Sequence, residues 1–504
     1  MRRWLFADQL GPHFLDAAHQ PVLLIESKAV FRRRAFHRQK AHLVLSAIRH
    51  RAAELGDHAV HLKTETYREG LRQYGEVVEV CHPTSRRARD FVRAQEKVTV
   101  LPARGFVTSQ EDFATWADRR RGAARLDDFY QHARQAHRVL MDGDEPAGGR
   151  WQVRVADATR PRELPTPPTP VEDDIDAEVR DDLDRWAAEG VEFIGRDGPR
   201  QFPVTRAEAL DRQQHFLVHR LPHFGRSDEM LADDPWLAHS GLSTSFNLGL
   251  LEPLPAVRQA EEEYRAGHAP LSSVERFARQ VIGWRDYLWH LYWYLDAGYP
   301  AGSQRPGQGS IPEWFAKLDA ESVHARCLSN ALAAVRDSGW AHHAVRQALL
   351  GNYGVQRGWR PTEMVDWFQR AFVDGQEWAM IGNVVGMARH AELGSVTTEA
   401  YAVSGTHINR TSDFCGACRY DPKQRLGADA CPFTGGYWAY LHQARERLHG
   451  NVRMTRALKQ LAQIPDVHEI VTQERARGDC APSPLPVDQG VGGHGVRRVG
   501  ARSP

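Results

Sequence analysis

The chain has 504 residues, of which 42% are hydrophobic and 26% charged, and 65 Lys and Arg against 64 Asp and Glu leave a formal net charge of +1. This composition excludes general disorder, and the near-zero charge argues against a basic nucleic-acid coat protein while allowing a local basic groove. The length exceeds the roughly 250–300 residues of a single core, so two or three domains are expected. No apolar run reaches the roughly 18 residues that span a bilayer, and we expect a cytoplasmic protein.

Short apolar segments recur over the first 105 residues, with helical patterns between them. The clearest helical pattern is in residues 37–55, where Ala41, Leu45 and Ile48 share one face. Alternating strands and helices predict an α/β domain with a doubly wound parallel sheet. The predicted strands are residues 4–7, 22–25, 59–62, 77–80 and 98–101.

Polar residues follow the first two predicted strands. Asp8 and Gln9 come after the first strand, and Glu26 comes after the second. Because ligands of such sheets bind beyond the carboxyl ends of the strands, these residues predict a ligand site. The alternative is that they are ordinary polar loop residues.

A proline-rich segment separates the sheet from the rest of the chain. Five prolines in residues 161–170 favour an extended spacer, and the acidic residues 171–186 are predicted to form a solvated helix face. The pattern from about residue 205 to 465 predicts helices, with helix starts at Thr205, Ser272 and Thr362. We therefore expect an α/β domain at 1–135, a linker at 136–200, an all-α domain at 201–465, and a tail at 466–504 that is disordered from about residue 478.

Four of the six cysteines lie in the helical region. Cys327 is followed after 87 residues by Cys415 and Cys418, and Cys431 follows twelve residues later. Four thiolates can close a zinc site or hold a [4Fe-4S] cluster. The distant first cysteine and the proline directly after the last one favour the cluster. Unliganded cysteines are the remaining alternative.

Aromatic residues and histidines also concentrate in the helical region. Residues 284–294 form a short helix with aromatic side chains on every face, so part of it is expected to meet a flat ligand or a base, although core packing is the alternative. His342 and His343 lie four and three residues before Arg346, so the three side chains can face one pocket. Histidines in such a pocket suit proton donation near neutral pH.

Four segments of this region resemble the flavin-binding motifs of photolyases and cryptochromes. Residues 239–251 resemble the flavin-phosphate loop, 280–287 the Trp-Arg-Glu-Phe helix, 339–346 the Gly-Trp-x-His-x-x-x-Arg helix, and 374–384 the segment along the flavin ring. The four cysteines are similar to those of the bacterial iron-sulfur branch. The resemblance extends from Asp8 to about residue 454 and implies the photolyase/cryptochrome architecture.

The resemblance implies an FAD site. Serine side chains or their N–H groups would cradle the diphosphate, Asp374 would pair with Arg346, and Asn383 would face flavin N5; an ordinary core ion pair is the alternative for Arg346 and Asp374. The implied cofactor-binding residues are Ser240, Leu242, Ser243, Ser245, Gln280, Arg285, Arg346, Asp374 and Asn383.

The family's chemistry is electron transfer from excited reduced FAD into an ultraviolet-damaged dipyrimidine flipped out of DNA. The resemblance implies that His342 and His343 are the catalytic pair that moves a proton onto a (6-4) lesion, and that Trp367 belongs to the electron path. The protein is thus expected to be a (6-4) DNA photolyase. The alternatives are a cryptochrome-like photoreceptor with the same cofactors, and a Fe-S or zinc DNA-binding protein without flavin.

The resemblance also implies further partners. An antenna chromophore, 6,7-dimethyl-8-ribityllumazine, would bind near Asp8, Gln9 and Glu26, and the four cysteines would hold a [4Fe-4S] cluster. Ultraviolet-damaged DNA would be the macromolecular partner of a monomer. A basic rim of phosphate contacts, with a solvated helix face as the alternative, comprises Arg445, Arg447, Arg453, Arg456 and Lys459.

Overall fold

Five strands of the N-terminal part form a parallel sheet: β1 Arg2–Leu5, β2 Val22–Ser27, β4 Ala59–Thr64, β5 Val78–Cys81 and β6 Val98–Leu101. Their order in the sheet is β4-β2-β1-β5-β6. The structure is a computed structural model that describes residues 1–120, 125–153, 155, 159–161, 163–295, 309–385, 402–451, 454–478 and 480–482. Central strands β1 and β2 pair Trp4 with Leu23, and both side chains are fully buried, as expected for a parallel sheet covered on both faces. The other strands are β3 Phe36–His37, β7 Met141–Asp142, β8 Glu145–Pro146 and β9 Phe193–Ile194.

Helices pack against the sheet and predominate among the described residues that follow it, so the predicted α/β and all-α architecture is confirmed. The predicted helix at 37–55 is α2. The helices are α1 Lys28–Arg32, α2 Arg38–Leu55, α3 Tyr67–Tyr74, α4 Arg86–Arg93, α5 Gln110–Arg119, α6 Leu126–His137, α7 Asp174–Ala188, α8 Arg206–His215, α9 Leu221–Ser227, α10 Ser243–Asn247, α11 Pro253–Arg265, α12 Leu271–Ala278, α13 Asp286–Tyr294, α14 Glu313–Ala316, α15 Arg326–Ser338, α16 His343–Val345, α17 Asn352–Arg357, α18 Pro361–Ala371, α19 Glu377–Met380, α20 Gly405–Thr411, α21 Pro432–Leu448, α22 Thr455–Leu461 and α23 Val467–Arg477. None of the described helices combines the length and apolarity needed to cross a membrane.

Two of the three predicted helix starts were wrong in detail. Thr205 begins α8 with a complete capping box, as predicted. Helix α12 begins at Leu271 rather than after Ser272, and Glu275 is buried, where it accepts a hydrogen bond from the N–H of Val153 at 3.3 Å. Helix α18 begins at Pro361, one residue before Thr362, because proline suits a first helical turn.

Within the described residues, four π-helical turns interrupt the helices of the C-terminal part. A π turn inserts an extra residue into a helix and is frequent at functional sites. Three of these turns carry predicted cofactor-binding residues: Gln280 and Arg285, Arg346, and Asn383, respectively. The four turns are Phe216–Arg220, Arg279–Arg285, Arg346–Gly351 and Ile381–Val385.

The proline-rich spacer is extended where it is described, and it is held against the helical part. The guanidinium of Arg220 donates to the carbonyl of Pro165 at 2.8 Å, and that of Arg212 donates to the carbonyl of Pro168 at 3.2 Å. Both arginines are only 3% exposed. The spacer is therefore fixed to the helical part by these hydrogen bonds. Its backbone carbonyls take the place of the carboxylates that buried arginines usually pair with.

The acidic segment was predicted to be a solvated helix face, and this was wrong for two residues of α7. Asp176 is fully buried and pairs with Arg200 at 3.1 Å. Asp182 is 6% exposed and pairs with Arg49 of α2. The sequence could not reveal this, because both partners lie far away along the chain.

Arg49 also pairs with Glu26 at the carboxyl end of β2. Its Nε and one terminal nitrogen each donate to the Glu26 carboxylate at 2.9 Å, and His61 contacts the same carboxylate at 2.8 Å. Burial raises the pKa of Glu26, but the hydrogen bonds from His61 and Arg49 outweigh burial and hold the pKa below its ordinary value of 4.5. One buried guanidinium thus ties the sheet to α2 and α7.

We expect Arg49→Met to lower the free energy of unfolding by about 3–5 kcal/mol, because two buried carboxylates lose their partner. Urea unfolding of wild type and variant measures the change. The control is Arg32→Met, which removes an exposed ion pair with Glu65 and should change stability by less than about 1 kcal/mol. The pKa of Glu26 lies below 4.5, so the loss of unfolding free energy in Arg49→Met should have its full size above that pH. It should become smaller as Glu26 is protonated below that pH. If Arg49→Met and Arg32→Met changed the free energy of unfolding equally, the buried ion pairs of Arg49 would not be stabilising the fold.

Candidate active site

Most of the predicted cofactor residues and the histidine pair line one cavity of about 420 Å³ in the helical part. A cavity of this size is in the range of cofactor sites. Four separate segments carry these predicted residues: the loop before α10 with that helix, the π turn before α13, α16 with its π turn, and the segment through α19. The predicted residues on its wall are Ser240, Leu242, Ser243, Gln280, Arg285, His342, His343, Arg346, Asp374 and Asn383.

The carboxylate of Asp374 joins three of these segments. Arg346 binds it in a bidentate pair at 2.9 and 3.0 Å, and the Ser243 hydroxyl donates to it at 2.6 Å. The Asn247 amide donates to the backbone carbonyl of Asp374 at 2.9 Å. Asp374 is 6% exposed, so its charge is neutralised within the wall by Arg346.

Arg285 lines the cavity without forming an ion pair with a carboxylate of the described residues. Its terminal nitrogens donate to the carbonyls of Gly105 at 3.0 Å and Phe246 at 3.3 Å, and its Nε is buried without a partner. Burial lowers its pKa to about 10, and the neighbouring Asp286 opposes this only in part. A guanidinium of this kind can bind an anionic or carbonyl group of a ligand.

Trp284 and Asn383 meet on the cavity wall. The indole N–H of Trp284 donates to the amide oxygen of Asn383 at 3.0 Å. This bond fixes the orientation of the amide and directs its NH₂ group away from the tryptophan. The expectation that the aromatic segment 284–294 reaches a ligand site fits the position of Trp284.

The histidine pair is placed by a glycine turn. Gly339 ends α15 with a φ of 63°, and a Cβ there would lie 2.8 Å from Val373, so the position requires glycine. His342 is 2% exposed, and both of its ring nitrogens lack a partner among the described residues. Burial lowers the pKa of His342 well below 6.5 and that of His343 to about 4. Both rings are therefore neutral at pH 7 in this structure.

Two predicted residues lie off the cavity wall. Ser245 is fully buried, and its hydroxyl has no partner among the described residues. Trp367 is also fully buried, and its ring lies in edge contact with Phe368, which does line the cavity, at 5.0 Å between centroids. Trp367 is thus one aromatic layer behind the wall.

The three residues predicted at the edge of the sheet have different surroundings. Asp8 follows β1 and accepts a hydrogen bond from Thr84, which follows β5, at the point where the strand order reverses. The amide of Gln9 donates to the carbonyl of Cys81 at 3.1 Å. Glu26 is held by the ion pair with Arg49 described above.

The four predicted metal-binding cysteines come together at one place. Cys327 is in the first turn of α15, Cys415 and Cys418 flank a 3₁₀ turn, and Cys431 precedes α21. Burial, and then the other three thiols, raise the pKa of Cys327 well above 9, as expected where four thiols face one another. Among the described residues, the group of three candidate ligands whose atoms all lie within 4.8 Å of one another is His50, Asp173 and Asp176; no three of the cysteines are that close.

The predicted basic rim lies on exposed helix faces. Arg445 and Arg447 are exposed at the end of α21, and Arg456 and Lys459 are exposed on α22. Arg453 lies outside the described residues, as does the tail beyond residue 482.

Sequence reasoning missed two features of the cavity wall. His239 stacks on His342 with ring centroids 4.2 Å apart. Asp228, which is 3% exposed, pairs with Arg276 beside His343, and burial raises its pKa to about 6. Neither residue carries a local signal, since the chain has 25 histidines and 64 acidic residues.

Comparisons with known proteins show which family this chain is similar to. Residues 3–201 match the family model described as deoxyribodipyrimidine photo-lyase-related protein. A protein of Agrobacterium fabrum named (6-4) photolyase is 33% identical over 480 residues, which cover 89% of this chain and 93% of that protein.

Solved structures show the same fold. A bacterial class III photolyase from Agrobacterium tumefaciens matches with a TM-score of 0.55 at 15% identity, over 94% of this chain and 96% of that one. A cryptochrome from Synechocystis sp. PCC6803 matches with a TM-score of 0.54 at 11% identity, over 94% and 98%. From its identity to the Agrobacterium relative and the extent of that match, the chain belongs to the family of bacterial photolyase-related proteins.

Proposed function

We propose that the protein repairs (6-4) photoproducts in ultraviolet-damaged DNA in a light-driven reaction that uses FAD. When bound, reduced FAD supplies an electron to the lesion after excitation by light. The observation that carries the proposal is that His342 and His343 lie on the wall of the same cavity as the predicted flavin-binding residues. The name and identity of the Agrobacterium relative support the same activity.

The residues on the cavity wall fit FAD. Arg285 offers a guanidinium with a buried, unpartnered Nε, and Ser240 and Ser243 lie at the start of α10, where N–H groups suit a diphosphate. Trp284 holds the oxygen of the Asn383 amide, so the NH₂ group of Asn383 would donate to a flavin nitrogen. These residues would bind and orient the cofactor.

The histidine pair would hold and move the proton. Both rings are neutral in the structure because burial disfavours their charged forms. Negative charge from the cofactor and from the phosphates of DNA would raise the pKa values of both histidines towards the range where a histidine donates a proton. His343 is next to the charge of Glu229, which acts in the same direction.

The four cysteines are proposed to hold a [4Fe-4S] cluster rather than zinc. Around one zinc ion, with Zn–S distances of about 2.3 Å, tetrahedral geometry sets the sulfurs about 3.8 Å apart. No three of the cysteine sulfurs lie within 4.8 Å of one another, which favours four irons, each with one thiolate, over a single zinc ion. The cluster would tie α15 to the loop before α21, so its binding energy would contribute to folding.

We also propose an antenna site for the ribityllumazine at the carboxyl edge of the sheet. Asp8 lies where the strand order reverses, which is the usual ligand position in such sheets. In this proposal residues 1–135 are the antenna-binding domain, 136–200 the linker and 201–465 the catalytic domain. The exposed arginines of α21 and α22 would contact phosphates of the damaged DNA.

The photoreceptor alternative shares these cofactors, and no feature of the described residues favours it. Its candidate signalling segment, the tail from about residue 478, lies almost wholly outside the part of the chain that the structure describes. The flavin-free alternative predicts a spectrum without flavin bands, from a protein that is colourless if the cysteines hold zinc. The ultraviolet-visible spectrum, with iron and sulfide analysis, separates it from the proposed function.

His343→Asn is expected to reduce repair of a (6-4) oligonucleotide under blue light by at least about 100-fold, because the amide cannot donate a proton as an imidazolium does. Bound FAD should stay the same. Product formation is followed by chromatography of the oligonucleotide. The matched control, His324→Asn at an exposed position, should repair like wild type. Full repair by the His343 variant would exclude the proposed role.

Arg285→Met is expected to lower the FAD content per chain at least tenfold, because the cavity loses its unpaired guanidinium. The flavin released from a known amount of unfolded protein gives the content by absorbance. Arg265→Met, which breaks an exposed ion pair with Asp142, should retain full FAD. Equal FAD in both variants would show that Arg285 does not hold the cofactor.

Cys418→Ala is expected to give insoluble protein or protein without the cluster, because one of its four ligands is missing. Iron and sulfide are measured per chain, with zinc in the same sample. The control is Cys480→Ala, which removes an exposed cysteine and should keep full iron. A soluble Cys418 variant with full iron would refute this ligand assignment.

A further inference from the structure

His239 is a third histidine on the cavity wall, and its ring lies flat against His342. The centroids are 4.2 Å apart with 18° between the planes. His239 also meets His343 edge to face, at 5.4 Å and 88°. Its side chain is nearly buried, and its Nε2 has no partner among the described residues. The proposed proton donors therefore belong to a cluster of three rings.

Two pairs of stacked rings support this cluster. Trp236 stacks on Trp340 at 4.8 Å and 23°, close to the stack of His239 on His342. The N–H of His239 donates to the carbonyl of Trp236 at 2.8 Å, which fixes the short turn between them. The two loops thus lie side by side, and each presents a tryptophan and a histidine to the other.

The His342 ring is contacted on its flat face by His239. Neither of its nitrogens has a hydrogen-bond partner in the described chain, whereas catalytic histidines are usually oriented by such a bond. The neighbouring His343 ring is 6.4 Å away and nearly perpendicular. A flat ring at 4.2 Å is in van der Waals contact, and it limits rotation of His342 about its side-chain bonds.

We propose that His239 is a positioning residue for the proposed proton donors, and that the flat face of its ring holds His342 in its orientation in the cavity. The inference rests on the proposed repair function. Charged groups around the cluster are Arg220, Arg346, Arg276 and Glu229. Burial is the main cause that keeps the three rings neutral, and the cations among these groups act in the same direction.

Two substitutions separate the ring face from its nitrogens. His239→Phe keeps a flat ring and removes both nitrogens, whereas His239→Ala removes the ring. We expect His239→Ala to reduce repair per absorbed photon about tenfold through loss of orientation, with lesion binding and FAD content unchanged. His239→Phe should retain most of the repair. His268→Ala, at an exposed position, is the control.

A second measurement does not depend on repair. Proton NMR of protein labelled at histidine Cε1, with His342→Gln to assign the signal, follows the titration of His342. Loss of the covering ring admits water, so the pKa of His342 should rise by about one unit or more in His239→Ala and stay near the wild-type value in His239→Phe. A purely structural role would leave this titration unchanged.

Failure of the positioning role and failure of the proposed function give different results. Unchanged titration of His342 in His239→Ala, or a His239→Phe variant as defective as His239→Ala in both measurements, overturns the positioning role. A wild-type protein that binds FAD and damaged DNA but repairs no (6-4) lesion overturns the proposed function instead. In that case the titration alone decides whether His239 orients His342.

Discussion

The ion pair of Arg346 and Asp374 is the contact on which the arrangement of the cavity depends. Asp374 is almost fully buried, and an unpaired carboxylate there would be costly, so Arg346 must lie beside it. The Ser243 hydroxyl completes the shell of the carboxylate, and Asn247 holds the adjoining backbone. Segments more than 120 residues apart in sequence meet at this one charge.

The sheet is connected to the same place. Lys40, on helix α2, donates to the carbonyls of Gln369 and Gly375 at 2.7 Å each, next to Asp374. Burial lowers the pKa of Lys40 to about 7, although the charge of Asp374 opposes this. Nine residues further along α2, Arg49 binds Glu26 at the edge of the sheet. One helix therefore links the carboxyl edge of the sheet to the wall of the cavity.

Much of this arrangement could be predicted because its signals are local. The capping box of Thr205, the apolar strands and the ordered motifs each depend on residues near one another in sequence. Burial of Asp176 and Asp182 could not be predicted, because their partners Arg200 and Arg49 come from other elements. The stack of His239 on His342 is hidden for the same reason, since it joins two loops about 100 residues apart.

The π turns explain how nearby motifs reach one cavity. A regular helix presents residues three and four apart on one face, whereas an inserted residue shifts the face that follows it. Gln280, Trp284 and Arg285 all line the cavity from a single π turn, while the next residue, Asp286, faces away and binds the N–H groups of residues 107 and 108. The carboxylate of Asp286, which could neutralise the neighbouring Arg285, is bound to these N–H groups instead. The cavity keeps one guanidinium for a ligand because the helix register changes at that residue.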